Sequence, residues 1–216
     1  MPENCYDIAH LAHVELLTNK FDESLDFFTR VYGLNVSSQS EGTAYLRGFD
    51  DYEFHSLKLT AAPNTGVGHV AYRAASPEAL ERRVKAIEEL GCGIGWVDGD
   101  EGHGRAYRFT DPDGHIFEIY YDTRRAEPGE ADKPALKNIA SRFHGRGAAV
   151  RRLDHLNLLA RDVHAIREWM PKALGSRVTE MIRLDNGKLG GCWFTVNNKS
   201  YDIAYAADNT TGSGRF

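Results

Sequence analysis

Three short segments of the sequence each place a histidine inside an apolar run: "HLAHVELLT", "GVGHVAYRA" and "RLDHLNLLA". The histidines at equivalent positions are His13, His69 and His155. Neutral imidazole is the commonest metal ligand in proteins, although a histidine in a strand can also be satisfied by a hydrogen bond alone. Imidazoles that recur in equivalent segments therefore favour binding of a cation.

The elements that must position these histidines also recur. Each segment is followed by a residue suited to capping a helix, then by apolar residues at three- and four-residue spacing, and finally by a glycine suited to a helix end. The predicted start signals are Asp22, Ser76-Pro77 and Asp162, and the closing glycines are Gly33, Gly91 and Gly175. The distance from histidine to glycine is 20, 22 and 20 residues, which indicates a duplicated unit. Pro171 is predicted to kink or end the third helix.

Strand-like runs separated by turns follow each glycine, so each unit is predicted to fold as βαβββ. The fold class is therefore α+β, built from tandem modules at 8–62, 66–122 and 151–208. Residues 1–122 form an N-terminal domain of two modules, and the polar residues 123–150 form a linker with room for one helical turn. Residues 151–216 form the first half of a C-terminal domain, and the closing "TGSGRF" leads towards a fourth module. We therefore expect this chain to be a fragment of a longer protein.

Composition restricts the classes of partner. The chain has 216 residues, a net charge of −5 and no block of basic residues, which argues against nucleic acid or an anionic membrane as a partner. The apolar runs are too short to cross a bilayer. The scattered Cys5, Cys92 and Cys192 are typical of reduced thiols in a cytoplasmic protein.

The repeated modules resemble the vicinal oxygen chelate superfamily, and a four-module plan is similar to that of the type I extradiol ring-cleavage dioxygenases. The segments that carry this resemblance are "RRLDHLNLLA", "TDPDGHIFEIYYD", "KSYDIAYA" and "GSGRF". The resemblance implies that a catecholic ring is opened by O2 beside its two hydroxyls. It also implies one Fe(II), or alternatively Mn(II), held by two histidines and a carboxylate.

The resemblance assigns His155 as the first histidine ligand of the catalytic metal, on the inner face at the middle of a strand. The other two ligands would lie beyond Phe216. Tyr201 stands where many members of the family carry an acid–base histidine. A phenol can donate a hydrogen bond to a bound oxygen but is a poorer proton shuttle at neutral pH, and Tyr201 could equally be an aromatic residue of the barrel wall.

The first two modules offer a complete set of ligands at matching positions: His13, His69 and Glu118. His55 occupies the place that Tyr201 holds in the third module. In the resembling dioxygenases the N-terminal pair usually serves as a metal-free scaffold, so metal binding and an inherited, hydrogen-bonded remnant both remain open. Five further histidines near turns are expected at the surface: His10, His103, His115, His144 and His164.

Three functions remain open at this point. The first is an extradiol dioxygenase acting on a small aromatic diol and O2. The second is a metal-dependent lyase, isomerase or transferase of the same superfamily that uses the N-terminal set. The third is a metal-free binding or scaffold module. An unpartnered third module would expose apolar surface and strand edges. This predicts that the chain is less soluble than its parent protein or forms a homo-oligomer through residues 151–208.

Overall fold

The chain forms an α+β fold with two mixed β-sheets. The computed structural model describes residues 6–127, 129–130, 132–139 and 145–209. Cys5, His144 and the segment "TGSGRF" lie outside the described residues. None of the helices among the described residues is long and apolar enough to cross a membrane.

The element order β-α-β-β-β occurs three times. The first repeat consists of β1 (Ile8–Thr18), α1 (Phe21–Asp26) with a π-helical extension (Phe27–Val31), β2 (Asn35–Ser40), β3 (Thr43–Arg47) and β4 (Leu57–Ala61). The second consists of β5 (Gly66–Ala74), α2 (Pro77–Glu89), β6 (Gly93–Val97), β7 (Ala106–Thr110) and β8 (Ile116–Tyr120). The third consists of β9 (Leu156–Ala160), α3 (Val163–Leu174), β10 (Arg177–Arg183), β11 (Leu189–Thr195) and β12 (Ile203–Ala207).

Antiparallel pairing of β1 with β5 joins the first two repeats into one eight-stranded sheet, in the order β2-β3-β4-β1-β5-β8-β7-β6. The third repeat forms a separate four-stranded sheet in the order β10-β11-β12-β9. In both sheets the first strand of a repeat pairs in parallel with the last strand of that repeat. The two sheets therefore share a local plan, but only the first contains a pair of repeats.

The helix boundaries follow the predicted signals in part. Ser76 and Asp162 cap α2 and α3, and each side chain accepts hydrogen bonds from backbone N–H groups of the first turn. Asp22 is not a cap, because α1 begins at Phe21 after Lys20 and Asp22 lies inside its first turn. Pro171 does not end α3, which continues to Leu174.

Burial explains why α3 continues through its proline. Met170, Ala173 and Leu174 are almost completely removed from solvent. Burying a methionine or leucine side chain contributes about 1.5–3 kcal/mol, so Met170 and Leu174 together can offset a cost of about 3 kcal/mol for proline in a helix.

The two faces of the large sheet differ in chemistry because side chains alternate along each strand. On β5, Val70 and Tyr72 belong to the main apolar core, whereas His69 and Ala71 point to the opposite face. That core also contains apolar residues of α2, α3 and the second sheet. The main core thus lies between the two sheets, α2 and α3. The first repeat has a separate apolar cluster of its own beside α1, and the opposite face of the central strands carries the buried polar groups together with small residues such as Ala71.

Contacts between the repeats include a buried hydrogen bond from Tyr205 Oη on β12 to Asp111 Oδ2 in the β7–β8 turn, at 2.8 Å. Arg161 also pairs with Asp113 in this turn.

The predicted helical turn of the linker does not occur among its described residues.

Candidate metal centre

Three central strands of the large sheet place a histidine, a second histidine and a glutamate on the polar face. In the ladder, His13 on β1 stands opposite Ala71 on β5, and Ala71 in turn stands opposite Glu118 on β8. His69 lies two residues before Ala71 and therefore on the same face of β5. A β-bulge between Leu11 and His13 shifts the β1 register at this point, and such bulges re-aim side chains.

The ligand atoms of His13, His69 and Glu118 all lie within 4.8 Å of one another. The Nε2 atoms of the two histidines are 2.9 Å apart. The three residues are 0%, 2% and 2% exposed, respectively. Two imidazoles and a carboxylate that converge in this way match the ligand types of a 2-His-1-carboxylate metal site. The structure thus brings together the N-terminal set that the sequence offered.

Contacts behind two of these side chains orient them. His69 Nδ1 is 2.8 Å from Glu15 Oε2, and Thr60 donates to the other oxygen of Glu15. A neutral imidazole that donates from Nδ1 presents the lone pair of Nε2 to the centre. Glu118 Oε2 accepts a hydrogen bond from Arg108 Nε at 2.9 Å, which directs Oε1 inward.

Two more histidines border the site, and the sequence placed only one of them there. His55 lies in the loop before β4, and its ring centroid is 4.4 Å from that of His13. His103, from the loop before β7, lies 5.4 Å from His13 by ring centroids, and its Nε2 is 3.4 Å from Glu118 Oε1. The prediction that His103 lies at the surface is wrong, since its side chain is 2% exposed.

The sequence does not place His103 at the site, because the loop "GDEGHG" has no strand periodicity. The sequence offers only a weak signal for His103, namely a histidine in a glycine-rich loop that connects two strands. His115 is also buried, contrary to expectation, and its Nδ1 contacts Asp111. His164 is exposed as predicted, and His10 is partly buried against Glu53.

Several polar atoms around the centre are buried without a hydrogen-bond partner. These atoms are His13 Nδ1, His55 Nε2, His103 Nε2 and Glu118 Oε1, and the last two lie 3.4 Å apart without forming a hydrogen bond. A buried group without a partner costs about 1–3 kcal/mol, so clustered orphan atoms point to a polar species that belongs between them, such as an ion or ordered water. The donor set fits a divalent transition metal.

Burial and neighbouring charges set the protonation states in the site. Burial, followed by the nearby His55, His69 and His103, holds the pKa of His13 well below its usual 6.5. Burial and His103 lower the pKa of His55 to about 3. Burial opposes ionisation of Glu15, but hydrogen bonds from His69 and Thr60 lower its pKa to about 2. At neutral pH, His13 and His55 are therefore neutral and Glu15 is ionised.

The third repeat carries His155 and Tyr201 in the same relation as His13 and His55. Val14, which follows His13, pairs with Leu57, and Leu156, which follows His155, pairs with Ile203. His55 and Tyr201 each precede their paired strand residue by two positions. The ring centroids are 4.4 Å apart in the first repeat and 4.6 Å apart in the third.

The expected mid-strand position of His155 is wrong. His155 precedes β9, its side chain is 41% exposed, and its Nδ1 contacts Asp154 at 2.7 Å. The reason is pairing: β1 continues before His13 because β5 supports it, whereas β9 has no second neighbour among the described residues. Tyr201 likewise lies in the loop before β12 rather than within a strand.

A family profile described as "Glyoxalase/Bleomycin resistance protein/Dioxygenase superfamily" matches residues 10–119. The chain belongs to this superfamily. The match covers the two repeats that build the eight-stranded sheet and the His13, His69 and Glu118 set.

Curated relatives extend the similarity along the chain. It is 43% identical over 213 residues to a metapyrocatechase from Geobacillus stearothermophilus, covering 99% of this chain and 65% of that protein. It is 35% identical over 204 residues to a manganese-dependent 2,3-dihydroxybiphenyl 1,2-dioxygenase from Geobacillus genomosp. 3, covering 94% and 64%. The chain thus spans just under two thirds of the length of these relatives.

Solved structures agree with this similarity. A Y257F variant of homoprotocatechuate 2,3-dioxygenase from B. fuscum superimposes with a TM-score of 0.79 at 30% identity, covering 93% of this chain and 54% of that chain. A homoprotocatechuate 2,3-dioxygenase from Arthrobacter globiformis gives a TM-score of 0.78 at 27% identity, covering 94% and 60%. The fold described above is therefore also the fold of these dioxygenases over the matched region.

Proposed function

We propose that this chain carries the N-terminal domain and the first half of the catalytic domain of an extradiol dioxygenase. The enzyme would open a catecholic ring with O2 at an Fe(II) or Mn(II) centre. The named activities of the relatives support this reaction class, and one relative is described as manganese-dependent. The unpaired thiols of Cys92 and Cys192 support a reducing compartment such as the cytoplasm.

One observation carries the proposal: His155 and Tyr201 repeat the geometry of His13 and His55 on the third repeat. In the N-terminal domain this geometry belongs to a complete set of two histidines and a glutamate. The equivalent set in the third repeat would begin with His155. Its other ligands would come from a further module, at the places that correspond to His69 and Glu118.

The residues of this chain would have separate tasks at that centre. His155 would supply one neutral imidazole, and the Asp154 carboxylate beside its Nδ1 would orient the ring. Tyr201, 4.6 Å away by ring centroids, would donate its phenolic hydrogen to an oxygen of the bound diol or of O2. A bound Fe(II) or Mn(II) supplies open coordination positions for the substrate oxygens and O2.

We also infer a four-module parent from the pairing of the strands. In the large sheet, β1 pairs on one side with β4 and on the other with β5, the first strand of the next repeat. Among the described residues β9 pairs only with β12. A fourth module would add its first strand to the free edge of β9.

Sedimentation distinguishes a four-module parent protein from the homo-oligomer that the sequence predicts. The 216-residue chain should self-associate through the β9 edge, and the complete polypeptide should not use that surface. Equal self-association of both proteins through residues 151–208 would contradict the four-module arrangement.

The reaction is tested on the complete polypeptide that contains this chain. Incubation with catechol and with 2,3-dihydroxybiphenyl in air should give a yellow ring-fission product in the presence of Fe(II) or Mn(II). His155→Ala should abolish product formation, whereas His164→Ala, at an exposed histidine of α3, should not. Full turnover by His155→Ala would refute the assigned role.

A second candidate is a lyase or isomerase that uses the N-terminal set, because that set is complete within the chain. Its three ligands are almost completely buried, which leaves little access for a substrate. Turnover of a small carbonyl substrate that is lost in His69→Ala but kept in His155→Ala would favour this candidate.

A further inference from the structure

We propose that the N-terminal domain holds a second metal centre, in which His13, His69 and Glu118 bind one divalent first-row transition ion that ties the sheet together. This inference goes beyond the ring-cleavage reaction, because its residues lie on the large sheet and the proposed catalytic ligand His155 lies at the edge of the small one.

The spacing of the two imidazoles fits ligation. Metal–nitrogen bonds of about 2.1 Å that meet at a right angle place the two nitrogens about 3.0 Å apart. The Nε2 atoms of His13 and His69 are 2.9 Å apart. Without an ion, the same atoms can share only one proton in a weak imidazole–imidazole hydrogen bond.

The site is also built to hold its ligands in one orientation. Glu15 fixes the ring of His69 through Nδ1, and Arg108 fixes one oxygen of Glu118. The other oxygen of Glu118 is fully buried and makes no hydrogen bond, and it faces His103 Nε2 only at the long distance of 3.4 Å. A carboxylate oxygen of this kind is stable inside a protein only if a cation or a donor faces it.

The nature of the ligands selects the class of ion. Two imidazoles and one carboxylate suit Zn, Fe, Mn, Co or Ni, whereas Mg and Ca prefer oxygen ligands. His55 and His103 stand next to the three ligands and could hydrogen-bond a water on the ion.

Burial points to a structural rather than a catalytic ion. The set is enclosed by the polar face of the sheet and by the loops of His55 and His103, and closed metal sites are typical of structural ions. The ligands lie on β1, β5 and β8, the three neighbouring strands at the centre of the eight-stranded sheet. A shallow groove formed by residues 100–104 and 122–124 reaches His103 and offers a path for the ion.

The test uses the 216-residue chain, stripped of metal by a chelator and titrated with Co(II). We expect one equivalent of Co(II) with visible d–d absorption, and a higher Tm for the loaded protein. His69→Ala and Glu118→Gln should each lose the absorption and the Tm increase. His155→Ala and His164→Ala should retain both.

Several outcomes would overturn the proposal. These are the absence of stoichiometric Co(II) and Zn(II) binding to the chain, binding that survives His69→Ala and Glu118→Gln, or binding that is lost in His155→Ala. Glu118→Gln changes no side-chain volume and guards against a folding defect in His69→Ala, and circular dichroism of both variants verifies their fold. Failure of the ring-cleavage proposal would appear instead in the activity of the complete polypeptide and would leave this titration unchanged.

Discussion

Nδ1 of His69 on β5 lies 2.8 Å from Oε2 of Glu15 on β1, directly across the strand ladder. This contact fixes both the tautomer and the angle of the imidazole, and it aims Nε2 at His13 and Glu118. Contacts of this kind behind a metal ligand raise its basicity and limit its rotation. A partly buried carboxylate therefore orients this single nitrogen.

Glu15→Gln should weaken Co(II) binding by about 10–100-fold, because the amide orients His69 less strongly and carries no charge. The Kd is measured by titration against a competing chelator. Glu23→Gln, at an exposed glutamate of α1, is the matched control and should leave the Kd unchanged. An unchanged Kd in Glu15→Gln would mean that the contact serves only folding.

Ala71→Val should block metal binding, because Ala71 stands in the ladder between His13 and Glu118 and its small side chain leaves room between them. Added methyl groups in a packed interior cost about 1–3 kcal/mol, so the variant should still fold. Ala74→Val, on the same strand but in the apolar core, is the control for overpacking. It should lower the Tm similarly and keep Co(II) binding.

The metal-free protein should lose stability in mild acid. The folded pKa of His55 is about 3 and lies below its ordinary value of 6.5, so the unfolded chain takes up the proton first as the pH falls. The contribution to stability is complete above pH 6.5 and is lost progressively between pH 6.5 and about 3.

His55 should reduce the free energy of unfolding by about 1.4 kcal/mol for each pH unit of acidification within that window. Urea unfolding at pH 7, 6 and 5 measures the slope. His55→Gln should show a shallower slope than the unchanged protein, and parallel slopes would contradict the assignment.

Tyr201→Phe in the complete polypeptide should lower kcat by about 10²-fold, the lower end of the range for a group that donates a proton or hydrogen bond to the reacting atoms. KM for the catechol should change little, because the ring and its contact with His155 remain. Steady-state kinetics over a range of pH measure both constants. An unchanged kcat would make Tyr201 a wall residue, which is the alternative that its sequence position left open.

Local sequence is enough to recognise the repeated βαβββ unit and to name the three residues of the N-terminal set, His13, His69 and Glu118. Strand alternation puts His69 and Ala71 on one face and Val70 and Tyr72 on the other, whatever the fold around them. Similar spacings of 20, 22 and 20 residues to the closing glycine then mark His13, His69 and His155 as equivalent, because a duplicated unit keeps its order of elements. The caps at Ser76 and Asp162 are local as well, since each side chain bonds to its own first turn.

Which histidines become buried depends on the tertiary structure. His103 reaches the site from a loop whose path depends on closure of the sheet, and no local pattern encodes that path. His13 lies within a strand and is buried, whereas the equivalent His155 precedes one and is exposed. The physical reason is pairing, because a strand persists where neighbours satisfy its backbone groups. β1 pairs with both β4 and β5, whereas β9 pairs only with β12 among the described residues.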